Sequence, residues 1–474
     1  MPDRYHIHTV PTPARFRRVG KFGSVDWRED CSRCTNCVKL RCCYDVYKHE
    51  SAYNRDPLAT VQTLNECKAC LSCVQGCTKG LLNISVNPEF LDLGDEYWKP
   101  DILLTTWNQS DSGKIPVSGA GYRGRFHGPG FDSIWTDMSE IVRPTRDGIH
   151  GREYISTSVD IGRKPLRLRF APDGKMLSEP SQLLEIQLPA IQDMPEWMVE
   201  GGNLVKARAA AAKGLNSLAV MAASHAREAP PEQLPFVVPV VGEDDIGESE
   251  AVLQAARMAQ VRDCEEVVDL VGRVQAINPR LIVSVRMTLR PTTAGRVVEL
   301  VRAGLRVFHL CADLHGRERP DNGKPGRHIK DVLRQVHGRL VKEGVRDEVT
   351  LIVSGGIALA EHMAKAIICG ADLVGVDTAL LVAVGCRVCR DAHAGPVWGP
   401  CPIEIDSVDS AYAAQRMVNL MGAWHSQLIE VLGAMGIREV RRLRGEVGRA
   451  MFLEDIEKEA FGDLARVPQA QVGA

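Results

Sequence analysis

The chain of 474 residues carries a formal net charge of −2, with 25% charged residues, so there is no electrostatic case for a nucleic-acid or anionic-membrane partner. A length of this order corresponds to about three domains, and no apolar run reaches the roughly 18 to 20 residues of a membrane span, because charges interrupt even the stretch 351–386. Residues 1–10 show no charged start followed by an apolar signal core, and a reducing cytoplasmic setting, in which thiols serve metals rather than disulfides, is expected.

Nine cysteines lie between Cys31 and Cys77, most of them in two runs, Cys31-x2-Cys34-x2-Cys37-x4-Cys42 and Cys67-x2-Cys70-x2-Cys73-x3-Cys77. Three thiolates at three-residue intervals let one tight loop cover a face of an iron-sulfur cubane, and in two-cluster ferredoxins the fourth cysteine of each run serves the other cluster. The expected ligand sets are therefore Cys31, Cys34, Cys37 and Cys77 for one 4Fe-4S cluster and Cys67, Cys70, Cys73 and Cys42 for the other. Zinc usually takes its cysteines as two separated pairs, whereas each run here offers three in quick succession. The x4 gap ends in a doubled Cys42-Cys43, so either residue can supply that ligand, and Thr78 stands where a proline usually follows the last cysteine. Residues 1–95 form the expected two-cluster ferredoxin-like domain.

From Asn87 to Gln182 the chain is rich in Gly, Pro, Asp and Arg with few periodic apolar runs, and 96–183 reads as an extended connecting segment. It contains Gly119-x-Gly121-x-x-Gly124, a dinucleotide fingerprint by pattern, but the Phe-His-Gly-Pro-Gly that follows cannot open the helix such a fingerprint needs.

From about Leu184 short apolar strands alternate with helices. The expected strands are 184–191, 217–222, 236–241, 281–287, 306–311, 350–354 and 373–376; the expected helices include 204–212, 249–260, 293–303, 328–343 and 358–368. Continuous apolar strands separated by such helices indicate a parallel sheet covered on its outer face. A closed eight-stranded (β/α)8 TIM-type barrel over 184–400 fits the count, with one strand not placed, and its functional groups belong in the loops after the strands. Residues 401–474 read as a helical extension, in which the arginine-rich stretch 438–449, interrupted by Glu439 and Glu446, is a solvated helix face.

The combination of Ser354-Gly355-Gly356-Ile357, Ala364-Lys365-Ala366-Ile367, Gly370-Ala371-Asp372, Thr378-Ala379 and Gly385-Cys386-Arg387-Val388-Cys389 resembles the FMN-binding synthase domain of archaeal-type glutamate synthases. Those proteins also carry an N-terminal two-cluster ferredoxin, and Arg416 to Leu420 with Gly433 to Ile437 is similar to their closing helices. The resemblance implies that Ser354, Gly355 and Gly356 present backbone N–H groups to the FMN phosphate, aided by the following helix. It also implies that Thr378 marks the second phosphate-binding strand end and that Arg286 stands where relatives have a lysine facing the flavin.

Several positions depart from that pattern. Asp377 replaces a glycine before Thr378, His315-Gly-Arg-Glu-Arg-Pro replaces a glycine-rich loop, Met194-Pro-Glu-Trp-Met198 replaces a segment near the flavin ring, and no histidine pair stands around Arg262 to Glu265. Arg317 and Arg319 are further sources of positive charge. Two of three ligands for the family's three-iron cluster fall on Ala392 and Val397. What stands there is Cys386, Cys389, His393 and Cys401, a candidate third metal site set against plain thiols, the favoured reading; Cys264, Cys311 and Cys369 are expected to be isolated thiols. Two functions remain open: an iron-sulfur electron-transfer subunit of a hetero-oligomeric redox assembly whose barrel is catalytically retired, or an FMN-dependent oxidoreductase reducing an imine formed from a 2-oxo acid and ammonia.

Overall fold

The computed structural model describes residues 6–16, 19–25, 38–43, 69–81, 83–115, 128, 130–136, 155–164, 168–177, 182–195, 201–319, 326–389, 403–446, 448 and 450–461. Eight parallel strands close into a barrel: β1 (Ala190–Gln192), β2 (Ala219–Ala222), β3 (Val237–Val241), β4 (Met258–Arg262), β5 (Ile282–Thr288), β6 (Val307–Cys311), β7 (Thr350–Ser354) and β8 (Leu373–Val376). Each pairs with the next in sequence, and β8 closes on β1 with Val374 opposite Ala190. Strands such as β3 and β7 are buried along their whole length, as parallel strands covered on both faces must be.

The strand missing from the sequence reading is β4. The helix expected over 249–260 ends at Ala255, where the Ala256 N–H closes on Val252 O, and the chain re-enters the barrel at Met258. Polar Gln260 broke the apolar run that identifies the other strands, yet it is fully buried because its amide bonds to His309. The strand expected over 184–191 divides. Leu183–Ile186 pairs antiparallel with Val159–Gly162, and only Ala190–Gln192 enters the barrel.

Within 96–183 the helix α1 (Pro100–Ser112) packs against the long C-terminal helix α2 (Ser410–Ala434). Its buried face mixes Ile102 and Leu103 with Thr106, Gln109, Ser110 and Asp111, which is why no apolar periodicity announced it. The polar groups are matched across the interface: Arg416 Nη1 lies 2.6 Å from Asp111 Oδ1, Asn419 Nδ2 donates to Ser110 O at 2.9 Å, and Trp424 Nε1 donates to Gln109 Oε1 at 3.2 Å.

The arginine-rich stretch is not a solvated helix face among the described residues. Val440–Leu443 forms one 3-10 turn, and Arg444 reaches Asp372, just below β8, at 2.7 Å. Asp372 also meets Arg346 at 2.9 Å and Lys164 at 3.1 Å and accepts the Leu351 N–H at 2.9 Å. Burial opposes its charge, but Arg346, Lys164 and Arg444 hold its carboxyl well below the usual range. Breaking such a buried pair leaves uncompensated cations at a cost of about 3–5 kcal/mol. Asp372→Asn is therefore expected to lower the urea midpoint sharply while leaving the iron content unchanged, since the site lies at the barrel end opposite the strand C-termini; unfolding curves with iron analysis check both.

Candidate functional site at the barrel mouth

The C-terminal ends of the strands carry a buried polar network. Arg286, on β5, grips Asp193, one residue past β1, through Nη1 to Oδ1 at 2.7 Å and Nη2 to Oδ2 at 3.2 Å. The same Nη1 lies 3.3 Å from Gln260 Oε1 on β4 and 3.2 Å from His309 Nδ1 on β6. A guanidinium only donates, so Nδ1 accepts and the proton sits on Nε2, which donates to Ser354 Oγ at 3.1 Å. Burial, reinforced by Arg286 and only partly offset by Asp193, lowers the His309 pKa to about 3 and keeps the imidazole neutral. Burial likewise works against the Asp193 charge, but Arg286 and His309 keep its carboxyl well below the usual range.

Asp377, one residue past β8, has no such partner cation in this network. Burial, then the neighbouring Asp193 charge, pushes its pKa up to about 7, against the opposing Thr378 N–H, which donates to Asp377 Oδ1. Space is short here. A Cβ on Gly375 would lie 2.9 Å from Ser354 Cβ and 3.1 Å from Asp193 Cβ.

The Ser354-Gly355-Gly356 turn follows β7 with φ +91° at Gly355 and +70° at Gly356, a conformation that favours glycine. A Cβ on Gly355 would meet Ala312 O and Asp313 O at 2.6 Å, and one on Gly356 would meet Gly316 Cα at 2.7 Å. The N–H groups of Gly356 and Ile357 have no acceptor among the described residues. Ser354, Gly355, Gly356, Thr378 and Arg286 thus do converge on one end of the barrel. The sequence reading missed Asp193, Gln260 and His309; a histidine and a glutamine inside otherwise apolar strands were the available signal.

A strap from the N-terminal region, Asp95–Trp98, lies across these loops. Tyr97 Oη donates to Gly356 O at 2.7 Å, Trp98 Nε1 donates to Leu314 O at 2.9 Å, and Asp95 Oδ2 meets His315 Nε2 at 2.8 Å. Asp95 Oδ1 also accepts the N–H groups of Tyr97 and Trp98 at 2.8 and 2.7 Å. His315, expected in a loop near the flavin, is thereby tied to the strap.

In the cysteine region the strand Phe22–Val25 pairs antiparallel with Ile84–Val86 and brings its two ends together. Cys31, Cys34, Cys37 and Cys67 lie outside the described residues, as do Gly119 to Gly124, His393 and Cys401. Of the doubled pair it is Cys43, not Cys42, whose thiol lies beside Cys70, 3.4 Å away. Ala69 and Leu71, on either side of Cys70, have φ +52° and +62°. Left-handed residues at such spacing turn successive N–H groups inward, the nest geometry found around iron-sulfur sites. The Leu81 N–H donates to Cys77 Sγ at 3.3 Å, and Cys42, Cys43, Cys70, Cys73 and Cys77 are all free of disulfides. This donor set fits iron-sulfur ligation. Of the third set, Cys386 is buried with its thiol accepting the Val388 N–H, and Cys389 is half-buried. Cys311 and Cys369 are buried and Cys264 is exposed.

A family model described as "Conserved region in glutamate synthase" matches residues 322–438. An archaeal-type glutamate synthase [NADPH] of Dehalococcoides mccartyi is 23% identical over 89% of this chain and 93% of its own length; an archaeal glutamate synthase [NADPH] of Archaeoglobus fulgidus is 24% identical over 98% of both. The chain is a homologue of archaeal-type glutamate synthases. Among solved structures, a flavocytochrome b2 mutant with pyruvate bound aligns at a TM-score of 0.43 and 11% identity over 79% of this chain and 90% of that one, too loosely to bear on the site.

Set against a glutamate-synthase barrel, the residues present do not fit FMN as they stand. The Gly356 and Ile357 amides are open, but the Thr378 amide is taken by Asp377 and Arg286 is committed to Asp193. A phosphate about 4 Å from an ionised Asp377 would cost on the order of several kcal/mol at an effective dielectric near 20. The raised Asp377 pKa also has a stability consequence. A carboxyl that binds its proton more tightly when folded contributes most at low pH, and that contribution is lost as pH rises from 3.8, its ordinary value, through about 7. Asp377→Asn is expected to raise the melting temperature by several degrees at pH 8 and to leave it unchanged near pH 4, in thermal melts across that range; equal melting of the two proteins at pH 8 would count against the buried charge.

Proposed function

We propose that this protein is a glutamate-synthase-type oxidoreductase component that relays electrons through two 4Fe-4S clusters within a cytoplasmic multi-subunit enzyme, its barrel serving as a scaffold and not as a flavin site. The reading is carried by the approach of Cys43 to Cys70 across a nest-shaped backbone: thiols from the two cysteine runs meet, as cross-ligation requires. One cluster is then held by Cys31, Cys34, Cys37 and Cys77, the other by Cys67, Cys70, Cys73 and Cys43. Bound there, each cluster would carry single electrons. The chain's own contribution is to cover them, with Cys73 buried on the short helix Ser72–Gly76 and the Ser72 N–H and hydroxyl holding the Cys70 thiol below its ordinary pKa. No helix among the described residues is long and apolar enough to cross a membrane.

Partner subunits belong to the same reading: electrons entering two clusters need an acceptor, and Arg286 and the Thr378 amide are already engaged within the chain. A second reading, FMN-dependent reduction of an imine, draws on the open Gly356 and Ile357 amides and on the similarity to glutamate synthases over most of the chain.

Anaerobically purified protein is expected to contain about eight iron atoms and no flavin absorbance, and to bring further redox polypeptides with it from its native host. Cys43→Ser is expected to lose about half of the iron while Cys42→Ser retains it. Four or fewer iron atoms in the unmodified protein, or turnover of 2-oxoglutarate and ammonia to glutamate by the isolated chain, would sink this reading.

A further inference from the structure

We propose that Asp377 is the residue that keeps flavin mononucleotide out of this barrel, its carboxylate occupying the place of the flavin phosphate at the end of β8. The inference rests on the reading of the barrel as a scaffold and names the group responsible.

Three features of the mouth single out Asp377. The first is what remains of an anion cradle after β7. Gly355 and Gly356 hold the left-handed turn that brings backbone N–H groups close to an oxyanion, and the Gly356 and Ile357 amides have no acceptor among the described residues. That side is still built for an anion. The second is what faces it across the β7–β8 pairing, where Ser354 stands opposite Gly375. Two residues beyond Gly375, Asp377 turns its carboxylate back onto the Thr378 N–H and accepts it. The chain's own oxyanion is therefore seated where an incoming one would be received. The third is charge. Within the network Arg286 is neutralised by Asp193 through two hydrogen bonds, and His309 is neutral. Among the described residues Asp377 is the one acidic group of this network without a cation, so a phosphate would either meet an uncompensated carboxylate with water excluded or force it to take up a proton.

The carboxylate caps the short helix Thr378–Ala383, and losing that contact destabilises the helix end, but the backbone conformation does not demand it. Asp377 has φ −117°, outside the left-handed region, so alanine and glycine can both occupy the position without the backbone strain that a left-handed residue would impose. Removing the side chain frees the Thr378 amide and leaves Arg286, Asp193 and the strap in place.

The test compares the full-length holoprotein with Asp377→Gly, and with Asp377→Ala as a second variant should the glycine protein not fold. FMN and riboflavin are the probes, followed by fluorescence quenching and by flavin retained on gel filtration. The wild type is expected to bind neither. The variant is expected to bind FMN at least about tenfold more tightly than the wild type does, and riboflavin no better, because the gain lies at the phosphate. A variant that melts as the wild type does, keeps its iron and still takes up no more FMN than the wild type would overturn the assignment of Asp377 while leaving the scaffold reading intact. FMN retained by the wild type would remove both. Equal gains for riboflavin and FMN would also overturn it, since the flavin would then be held by its ring.

Discussion

The buried contact between Arg286 and Asp193 sets what the mouth of this barrel can hold. Moving a guanidinium and a carboxylate out of water costs several kcal/mol per ion even after relaxation. The pair persists only because each remaining donor and acceptor is matched: Gln260 and His309 take the guanidinium nitrogen that faces them, and Ser354 receives the proton that His309 has free. These partners sit on β4, β6, β7 and just past β1, so satisfying one arginine on β5 dictates four side chains around the barrel. The dependence explains why a glutamine is tolerated in β4 and why Gly375 has no room for a side chain.

The same pair governs its neighbour. Asp193 is kept ionised by Arg286, and a second carboxylate placed beside it, Asp377, must either bind a proton or bear the repulsion. A glycine at that position would make neither demand. The carboxylate is instead retained on the Thr378 amide, and the loops around it are closed from outside by Tyr97 and Trp98. The carboxylate engages an amide N–H that a phosphate could otherwise take, whereas the strap's bonds end on the Gly356 and Leu314 carbonyls and tie down the loops. Among the described residues the Gly356 and Ile357 amides stay open at the same end of the barrel, the part of an anion-binding arrangement that these contacts leave free.

Much of this was legible in the sequence, and what was not has physical causes. Seven strands showed as continuous apolar runs because both faces of a parallel strand are covered, whereas β4 did not, since Gln260 satisfies a partner that local pattern cannot reveal. Cysteine spacing gave the expected cluster ligands but could not choose between Cys42 and Cys43, and it is Cys43 that the turn after the helix Val38–Arg41 brings beside Cys70. Ser354 to Gly356, Thr378 and Arg286 were identified through resemblance and do assemble at one end. Asp193, His309 and the strap escaped notice because their partners lie from 23 to more than 200 residues away. The helix Pro100–Ser112 was hidden for a related reason: its buried face is largely polar, and only the matching groups of Ser410–Ala434 make it a packing surface.

The strap gives these observations a common mechanical sense. Among the described residues only the strand Ile84–Val86 and the short helix Pro88–Leu91 lie between Cys77 and Asp95, so the cysteine region is joined to the barrel by a brief connection. That connection ends on the β6 and β7 loops through Tyr97, Trp98 and the Asp95–His315 contact, with the Gly94 N–H adding a bond to Arg387 O. In a flavin-bearing barrel such docking would hold an electron donor against its acceptor. Here the docking stands beside a mouth whose Arg286 and Thr378 amide are already engaged, and Cys43 and Cys70 are exposed among the described residues. On the proposed reading the barrel still performs the positional half of the older task. It holds the strap that follows the cysteine region against its mouth, and on that same proposal a partner subunit, and not a flavin of this chain, receives the electron.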